Sequence, residues 1–321
     1  MLKKLVKKLE KKPLLDKLLS LNPIFSNFIN NCLVVFLYHE VSDSPSKFHL
    51  NNNLNVTPNI FYKQMNFIKK NFHIINPQDI FLNKFTTPAA LVTFDDGAKG
   101  YFDNALPILN ELKIPSVHFL NMEPIMEGIN WNGFIAYFND IKKKTIHAQH
   151  DEYIKYKEIQ KKNEDVNDIL KNVKEYHGPW ANTQDLDNCK HNNLVFFGSH
   201  LFNHFNAASL SKNELSFQYL ENKKYLNNFN NSINFFSYPY GHNNIHYNSN
   251  TTKIIRNLGA KCIFTANPIS YKIQFNKKND LFHRIPLFNW IETEQQFKKH
   301  LILSKYKTSL NFLRNKHSNN Y

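Results

Sequence analysis

The chain has 321 residues, 42% of them hydrophobic, so it is long enough for one large domain or two small ones with a sizeable core. Its 40 Lys and Arg residues outnumber 26 Asp and Glu residues, which gives a formal net charge of +14. A lysine- and asparagine-rich coding bias or an anionic partner would each explain this excess. The three cysteines are far apart and form no Cys-x-x-Cys pair, which argues against a disulfide framework and a cysteine-ligated zinc site.

The N-terminal residues 1–12 place apolar side chains at helical spacing, with lysines on the opposite face. This pattern fits a helix lying in a membrane surface or an ordinary surface helix, and both interpretations stay open. The apolar run at 32–38 is too short to span a bilayer. We therefore expect no cleavable signal and no transmembrane helix. The prediction is a basic amphipathic segment over 1–31, for which an anionic membrane surface is one of the two candidate environments. The protein is predicted to be cytoplasmic or peripheral on the cytoplasmic face of the inner membrane.

Short apolar runs alternate with helical segments after residue 31. The predicted strands are 32–38, 89–94, 116–120, 194–198, 234–238 and 260–264. The predicted helices are 58–70 after Thr57-Pro58, 101–112 with Pro107 inside it, 211–228 with a Ser211–Glu214 capping box, and 249–258 before Gly259. Alternation of this kind predicts an α/β fold with a parallel sheet or barrel, whose site lies at the carboxyl ends of the strands.

Polar residues follow several of these strands, which indicates a shared pocket at that end. The first group is Asp95-Asp96, two adjacent carboxylates that repel each other unless a cation offsets their charge. The second is His200 and His204, which share a face if the backbone between them is helical. A similar pair at 242–246 lies in an asparagine-rich stretch and is a weaker candidate.

Two histidines and one carboxylate form a ligand set for a divalent ion that leaves positions open for water and substrate. In this interpretation the second aspartate is free to take a proton from the attacking water. The alternative is a solvated turn carboxylate with an unrelated helix cap. The two histidines favour the metal site.

Three motifs then resemble those of the polysaccharide deacetylases, the NodB-homology domain of carbohydrate esterase family 4. They are TFDDG at 93–97, His-x-x-x-His at 200–204 and FSYPYG at 236–241. The stretches 37–43, 56–72 and 104–120 resemble the branch that acts on poly-N-acetylglucosamine and related surface glycans. The resemblance implies a distorted (β/α) barrel of the polysaccharide deacetylase type over 32–290. Within it, residues at about 141–176 are charged and poorly periodic, which predicts a helical insertion on the surface. A helical tail is predicted at 291–321.

The resemblance also assigns roles to residues by motif. It implies that Asp95 is the general base and that Asp96, His200 and His204 bind one divalent ion, zinc, with cobalt or nickel as alternatives. The backbone N–H of Tyr240 is implied as a donor to the oxyanion of the tetrahedral intermediate.

Two further roles depend on where this chain departs from the family pattern. For the general acid we favour His39, in the Tyr-His segment, over His283 in the sequence LFH. The third motif usually carries an arginine that orients the base, but this chain has Phe236-Ser237 there. Arg284 on a late strand is the hypothesised replacement.

These features predict a metal-dependent hydrolase that removes the N-acetyl group from an N-acetylhexosamine. The expected substrate is a bacterial surface polysaccharide or its lipid-linked precursor. The alternative is a catalytically silent carbohydrate- or membrane-binding protein on the same barrel, which the missing arginine favours and the intact aspartates and histidines disfavour. Nucleic-acid binding would rest on charge alone, since no recognition motif is present, and it is not expected.

Overall fold

The structure is a computed structural model that describes residues 22–82, 85–128, 166–267 and 281–304. Its strands are β1 (Leu33–Tyr38), β2 (Glu40–Val41), β3 (Asn55–Val56), β4 (His73–Ile74), β5 (Ala89–Asp96), β6 (Ser116–Leu120), β7 (Val195–Ser199), β8 (Ser232–Ser237), β9 (Cys262–Thr265) and β10 (Leu281–Pro286). Seven of them close a parallel barrel in the order β1-β5-β6-β7-β8-β9-β10, and β10 returns to pair with β1. The predicted α/β barrel is confirmed.

The helices surround this barrel. They are α1 (Asn22–Ile29), α2 (Lys47–Asn51), α3 (Pro58–Asn71), α4 (Asp79–Leu82), α5 (Leu106–Leu112), α6 (Met122–Glu127), α7 (Val166–His177), α8 (Thr183–Asn188), α9 (Lys212–Leu226), α10 (Ser249–Asn257) and α11 (294–304). A π-helical turn at Tyr101–Ala105 precedes α5, which begins at Leu106 and has Pro107 in its first turn, where the restricted φ of proline is favourable.

All six predicted strands are present, with ends shifted by at most two residues. The late strand that carries Arg284 is β10, and Arg284 lies opposite Val35 of β1. The predicted capping box of α9 is also present, since Ser211 and Glu214 exchange side-chain and backbone hydrogen bonds. The sequence did not predict the short strands β2, β3 and β4.

Alternation along the strands sorts side chains into a barrel interior and an outer layer. Interior residues form one buried cluster that includes Leu91, Val117, Phe119, Phe235 and Phe264. The residues between them face outwards and pack against the helices. The interior series continues upwards along β5 to Asp95 and along β10 to Arg284. The barrel therefore ends in a polar layer at the carboxyl ends of its strands.

The predicted segments that flank the barrel are described in part. Helix α7, the C-terminal end of the predicted insertion, packs against α2. Helix α11, in the predicted tail, buries Phe297, Leu301 and Ile302 in the core. Residues 1–21, 141–165 and 305–321 lie outside the described residues, so the division into 1–31, 32–290 and 291–321 stays a prediction. No helix in the described ranges is long and apolar enough to cross a bilayer.

Candidate active site

The adjacent aspartates lie where β5 ends. Asp95 continues the interior alternation of the strand, whereas Asp96 has a φ of +75° and Gly97 a φ of +97°. Two consecutive residues in the left-handed region turn the chain sharply, and glycine is the residue that adopts this conformation at least cost. The turn lets the two carboxylates face different partners although they are neighbours in the sequence.

Asp95 is paired with a buried arginine. Arg284 Nη1 donates to Asp95 Oδ1 and Nη2 donates to Oδ2, each at 2.6 Å, in a bidentate ion pair. The guanidinium is fully buried and also donates to Ser237 Oγ at 2.6 Å and to the Thr265 carbonyl at 3.2 Å. Burial by itself would raise the pKa of Asp95, but the charge and hydrogen bonds of Arg284, together with the charges of His200 and His39, hold the pKa below its ordinary value.

His200 and His204 lie in a loop after β7 and not on a helix, so the helical interpretation of their spacing is wrong. Leu201 has a φ of +64° and His204 a φ of +57°, and these two left-handed residues fold the segment back on itself. Asn121 supports the turn by donating to the carbonyls of His200, at 2.5 Å, and Leu201, at 2.8 Å. The imidazoles end up 4.8 Å apart between ring centroids.

Asp96 and the two histidines converge. Asp96 Oδ1 lies 3.3 Å from His200 Nε2 and 3.1 Å from His204 Nε2. Potential ligand atoms of the three residues all lie within 4.8 Å of one another, and no other group of three or more His, Cys, Asp or Glu within the described ranges meets this criterion. Burial acts to raise the pKa of Asp96, but His204 and His200 hold that pKa well below its usual range.

These residues fit a divalent cation. His200 Nδ1 lies 2.8 Å from the Ser237 carbonyl, which can only accept, so Nδ1 carries the proton and Nε2 of the neutral ring presents a lone pair. That lone pair faces Asp96 Oδ1, a buried oxygen that lacks a hydrogen-bond partner of acceptable geometry in the described part of the chain. A cation between these atoms would satisfy both, and a carbonyl behind a metal-binding imidazole is a common arrangement.

The two candidates for the general acid lie on different faces of the barrel wall. His39 follows β1 and continues the interior side of its alternation. Burial lowers the pKa of His39, and the charges of Asp96 and Asp95 partly oppose this effect. His283 precedes Arg284 on β10 and therefore faces outwards, where its Nδ1 lies 2.7 Å from Thr265 Oγ1. Burial lowers the pKa of His283 to about 4. His39 is the candidate that shares the space of the aspartates.

Tyr240 lies beside the histidines of the site. Its ring packs edge-on against His204, with centroids 4.8 Å apart, and burial raises the pKa of its hydroxyl. Its φ is +59° and that of Gly241 is +62°. Position 241 requires glycine because a Cβ there would lie 2.2 Å from the Ala266 nitrogen. This tight turn fixes the backbone of Tyr240 beside the histidines.

Several supporting residues were missed by the sequence analysis. His118, a fully buried residue of β6, accepts the Gly97 N–H at 3.1 Å and thus contacts the aspartate turn from below. The Gln218 side chain of α9 accepts the backbone N–H of Asn203, inside the histidine turn, and donates to Asn203 Oδ1. Asn222, one helical turn later, bonds Ser199 Oγ. Polar side chains at 218 and 222 among apolar neighbours on α9 were the available signal.

Comparisons with solved structures agree with this architecture. The deacetylase PplD of Streptococcus pyogenes, in complex with acetate, is 16% identical over 84% of this chain and 98% of that chain, with a TM-score of 0.58. IcaB of Ammonifex degensii is 17% identical over 84% and 97%, with a TM-score of 0.57. A de-N-acetylase of Aggregatibacter actinomycetemcomitans is 16% identical over 84% and 99%, with a TM-score of 0.54. At such identities these likenesses show the fold.

The family is shown by the sequence itself. No curated protein matches the chain. The family model of the polysaccharide deacetylases, however, matches residues 83–263, which run from just before β5 into β9 and include the aspartate pair, both histidines and Tyr240. The chain therefore belongs to the polysaccharide deacetylase family and is a hydrolase that deacetylates a polysaccharide.

Proposed function

We propose that this protein is a metal-dependent N-deacetylase that hydrolyses the acetamide of N-acetylhexosamine units. The proposed substrate is a bacterial surface polysaccharide or its lipid-linked precursor. The observation that carries the proposal is that the two adjacent aspartates at the end of β5 have different partners. Asp96 faces two imidazoles, and Asp95 faces a guanidinium. One carboxylate thus joins a metal-binding set, while its neighbour stays ionised and separate.

Asp96, His200 and His204 would hold the ion, for which we propose zinc, with cobalt or nickel as alternatives. When bound, a divalent ion of this kind lowers the pKa of water and polarises a carbonyl oxygen. Asp95 is proposed as the general base. Its carboxylate stays ionised because of Arg284, and its Oδ2 lies 3.7 Å from His200 Nε2, beside the place where the attacking water must be.

The remaining roles follow from the residues around this pair. His39 is proposed to protonate the leaving amine, because it lies on the interior side with the aspartates whereas His283 faces outwards. The Tyr240 N–H is proposed to donate to the oxyanion, since its backbone is fixed in the turn beside His204. Acetate and a free amine on the sugar are the products. The names of two structural neighbours, a de-N-acetylase and a deacetylase in complex with acetate, support this chemistry.

The proposal is tested by acetate release from an acetylated chito-oligomer, together with the metal content of the purified protein. We expect release to stop with a chelator and to return with zinc or cobalt. His200→Ala should lose both the stoichiometric ion and activity. The matched control is His242→Ala, which removes an exposed histidine of the second His-x-x-x-His pair and should retain both.

A wild-type protein that binds the oligomer without releasing acetate would favour the silent carbohydrate-binding alternative. Unchanged metal content in His200→Ala would refute the proposed ligand set.

A further inference from the structure

A second cluster of rings, two of them buried and two partly buried, lies next to the candidate active site. This aromatic-histidine cluster consists of Phe48 and His49 of α2, His177 at the end of α7, and Trp180 just after it. The His177 ring stacks on Phe48 with centroids 4.1 Å apart, and its centroid lies 4.6 Å from Trp180 and 5.5 Å from His49. Neither the metal site nor the proposed proton transfers use any of these four side chains.

Backbone pairing attaches the cluster to the aspartate turn. The Lys99 N–H donates to the Pro179 carbonyl at 3.1 Å, and the Ala181 N–H donates to the Gly97 carbonyl at 3.0 Å. Trp180 therefore lies opposite Ala98, two residues after Asp96. Burial lowers the pKa of His49 to about 4, and the next largest influence on that pKa is the charge of Asp96. Both observations place the cluster beside the metal site.

Two buried nitrogens of the cluster have no hydrogen-bond partner among the residues that the structure describes. They are His49 Nε2 and Trp180 Nε1. His49 Nδ1 lies 2.8 Å from Ser46 Oγ, which can donate to it or accept from it, so Nε2 is an acceptor in one tautomer of the ring and a donor in the other. The indole nitrogen can only donate. Two buried polar nitrogens without partners among the described residues are costly, and a bound group that hydrogen-bonds to both would remove this cost.

The chemistry of the cluster selects the kind of acceptor. It contains no lysine or arginine, and burial disfavours the charged form of both histidines. The Asp96 carboxylate lies nearby and Glu40 Oε2 lies 4.0 Å from His49 Nδ1, so an anionic group would gain little. Neutral hydroxyl groups match both nitrogens, because a hydroxyl can accept from the indole N–H and can donate to or accept from the imidazole. The ring of Trp180 is only partly buried and can also offer a face to a sugar.

We propose that His49 and Trp180 form a sugar-binding subsite that hydrogen-bonds to hydroxyl groups of the glycan next to the reacting acetamide. This inference rests on the proposed function and adds to it a group that binds the sugar and not the acetyl group. A substrate with an acetyl group but no sugar would not use the subsite.

The test compares two substrates in Trp180→Phe, which removes the indole N–H and retains an aromatic ring. We expect KM for an acetylated chito-oligomer to rise about threefold to tenfold, the effect of one hydrogen bond. Hydrolysis of p-nitrophenyl acetate should stay within about twofold of wild type by the same reasoning. Trp290→Phe is the control, because Trp290 is an exposed indole on the loop after β10. His49→Phe, which removes the other unpartnered nitrogen, should give the same difference between the two substrates.

An equal loss on both substrates would mean that the cluster only supports the fold, and an unchanged KM for the oligomer would remove the subsite. Both outcomes are read only if the wild-type enzyme releases acetate from the oligomer. A wild-type protein without that activity would refute the proposed function. Failure of the subsite proposal and failure of the proposed function are therefore distinguishable.

Discussion

The ion pair between Arg284 and Asp95 gives the sharpest prediction, because it can be tested without knowing the natural substrate. In Arg284→Met the side-chain volume is largely kept, but the Asp95 carboxylate, only 3% exposed, loses two hydrogen bonds of 2.6 Å and its cation. Breaking a buried pair by removing one partner costs about 3–5 kcal/mol in the free energy of unfolding. We expect a loss in that range at neutral pH.

The direction of the pH effect follows from the pKa of Asp95. In the wild type, Arg284 helps to hold the pKa of folded-state Asp95 below its ordinary value. The ion pair therefore stabilises the fold at pH values above the unfolded-state pKa of Asp95. This stabilisation is lost as the pH falls through the folded-state pKa. In Arg284→Met burial is no longer opposed by the guanidinium, and the pKa of Asp95 rises. The difference in unfolding free energy between variant and wild type should therefore shrink towards acid pH. The acid limb of kcat/KM should move to higher pH, since the base must be ionised.

Urea unfolding at several pH values and a pH profile on acetylated chito-oligomer measure both effects. Arg284→Lys retains a charge but not the bidentate geometry and should fall between wild type and Arg284→Met. The double variant Asp95→Asn/Arg284→Met should be less destabilised than the sum of its single changes, because the two residues are in direct contact. An acid limb that does not move, with an unchanged free energy of unfolding, would refute the role of Arg284.

Two further variants test the roles of histidines around the site. His39→Gln should lower kcat by about 100-fold to 10,000-fold, the usual contribution of a general acid, with the metal content unchanged. Activity within twofold of wild type would contradict this role and favour His283 as the general acid. His118→Phe retains ring packing but loses the acceptor 3.1 Å from the Gly97 N–H, so we expect about 1 kcal/mol less stability and weaker zinc binding. Urea unfolding and a zinc titration measure these changes, and unaltered zinc affinity would show that His118 does not position Asp96.

The barrel was predictable because its strands are short apolar runs with clear ends. A buried parallel strand is apolar on both faces, so the runs at 89–94 and 116–120 stand out from the amphipathic helices between them. The same reasoning placed the aspartate pair and His200 at one end of the sheet. The two-residue strands β2 and β4 were not predictable, since they contain too few residues to show any alternation.

The contacts within the site were less predictable than its location. The spacing of His200 and His204 suggested a helix, but two left-handed residues bring the rings together in a loop, and leucine and histidine at such φ values give no local sequence signal. The pairing of Arg284 with Asp95 joins positions 189 residues apart. It depends on β10 closing the barrel against β1, which spacing alone does not reveal.

The geometry of β5 resolves the electrostatic difficulty that an Asp-Asp pair presents. Two adjacent carboxylates in an extended strand point to opposite faces, and here the second residue leaves the strand with a left-handed φ. Asp95 keeps the interior direction and is neutralised by Arg284, while Asp96 turns towards His200 and His204. Each carboxylate therefore has its own source of positive charge, one permanent and one supplied by the proposed ion. What Asp95 requires is a guanidinium paired with its carboxylate. Any strand that brings an arginine to this position meets that requirement, so the arginine does not have to come from the third motif.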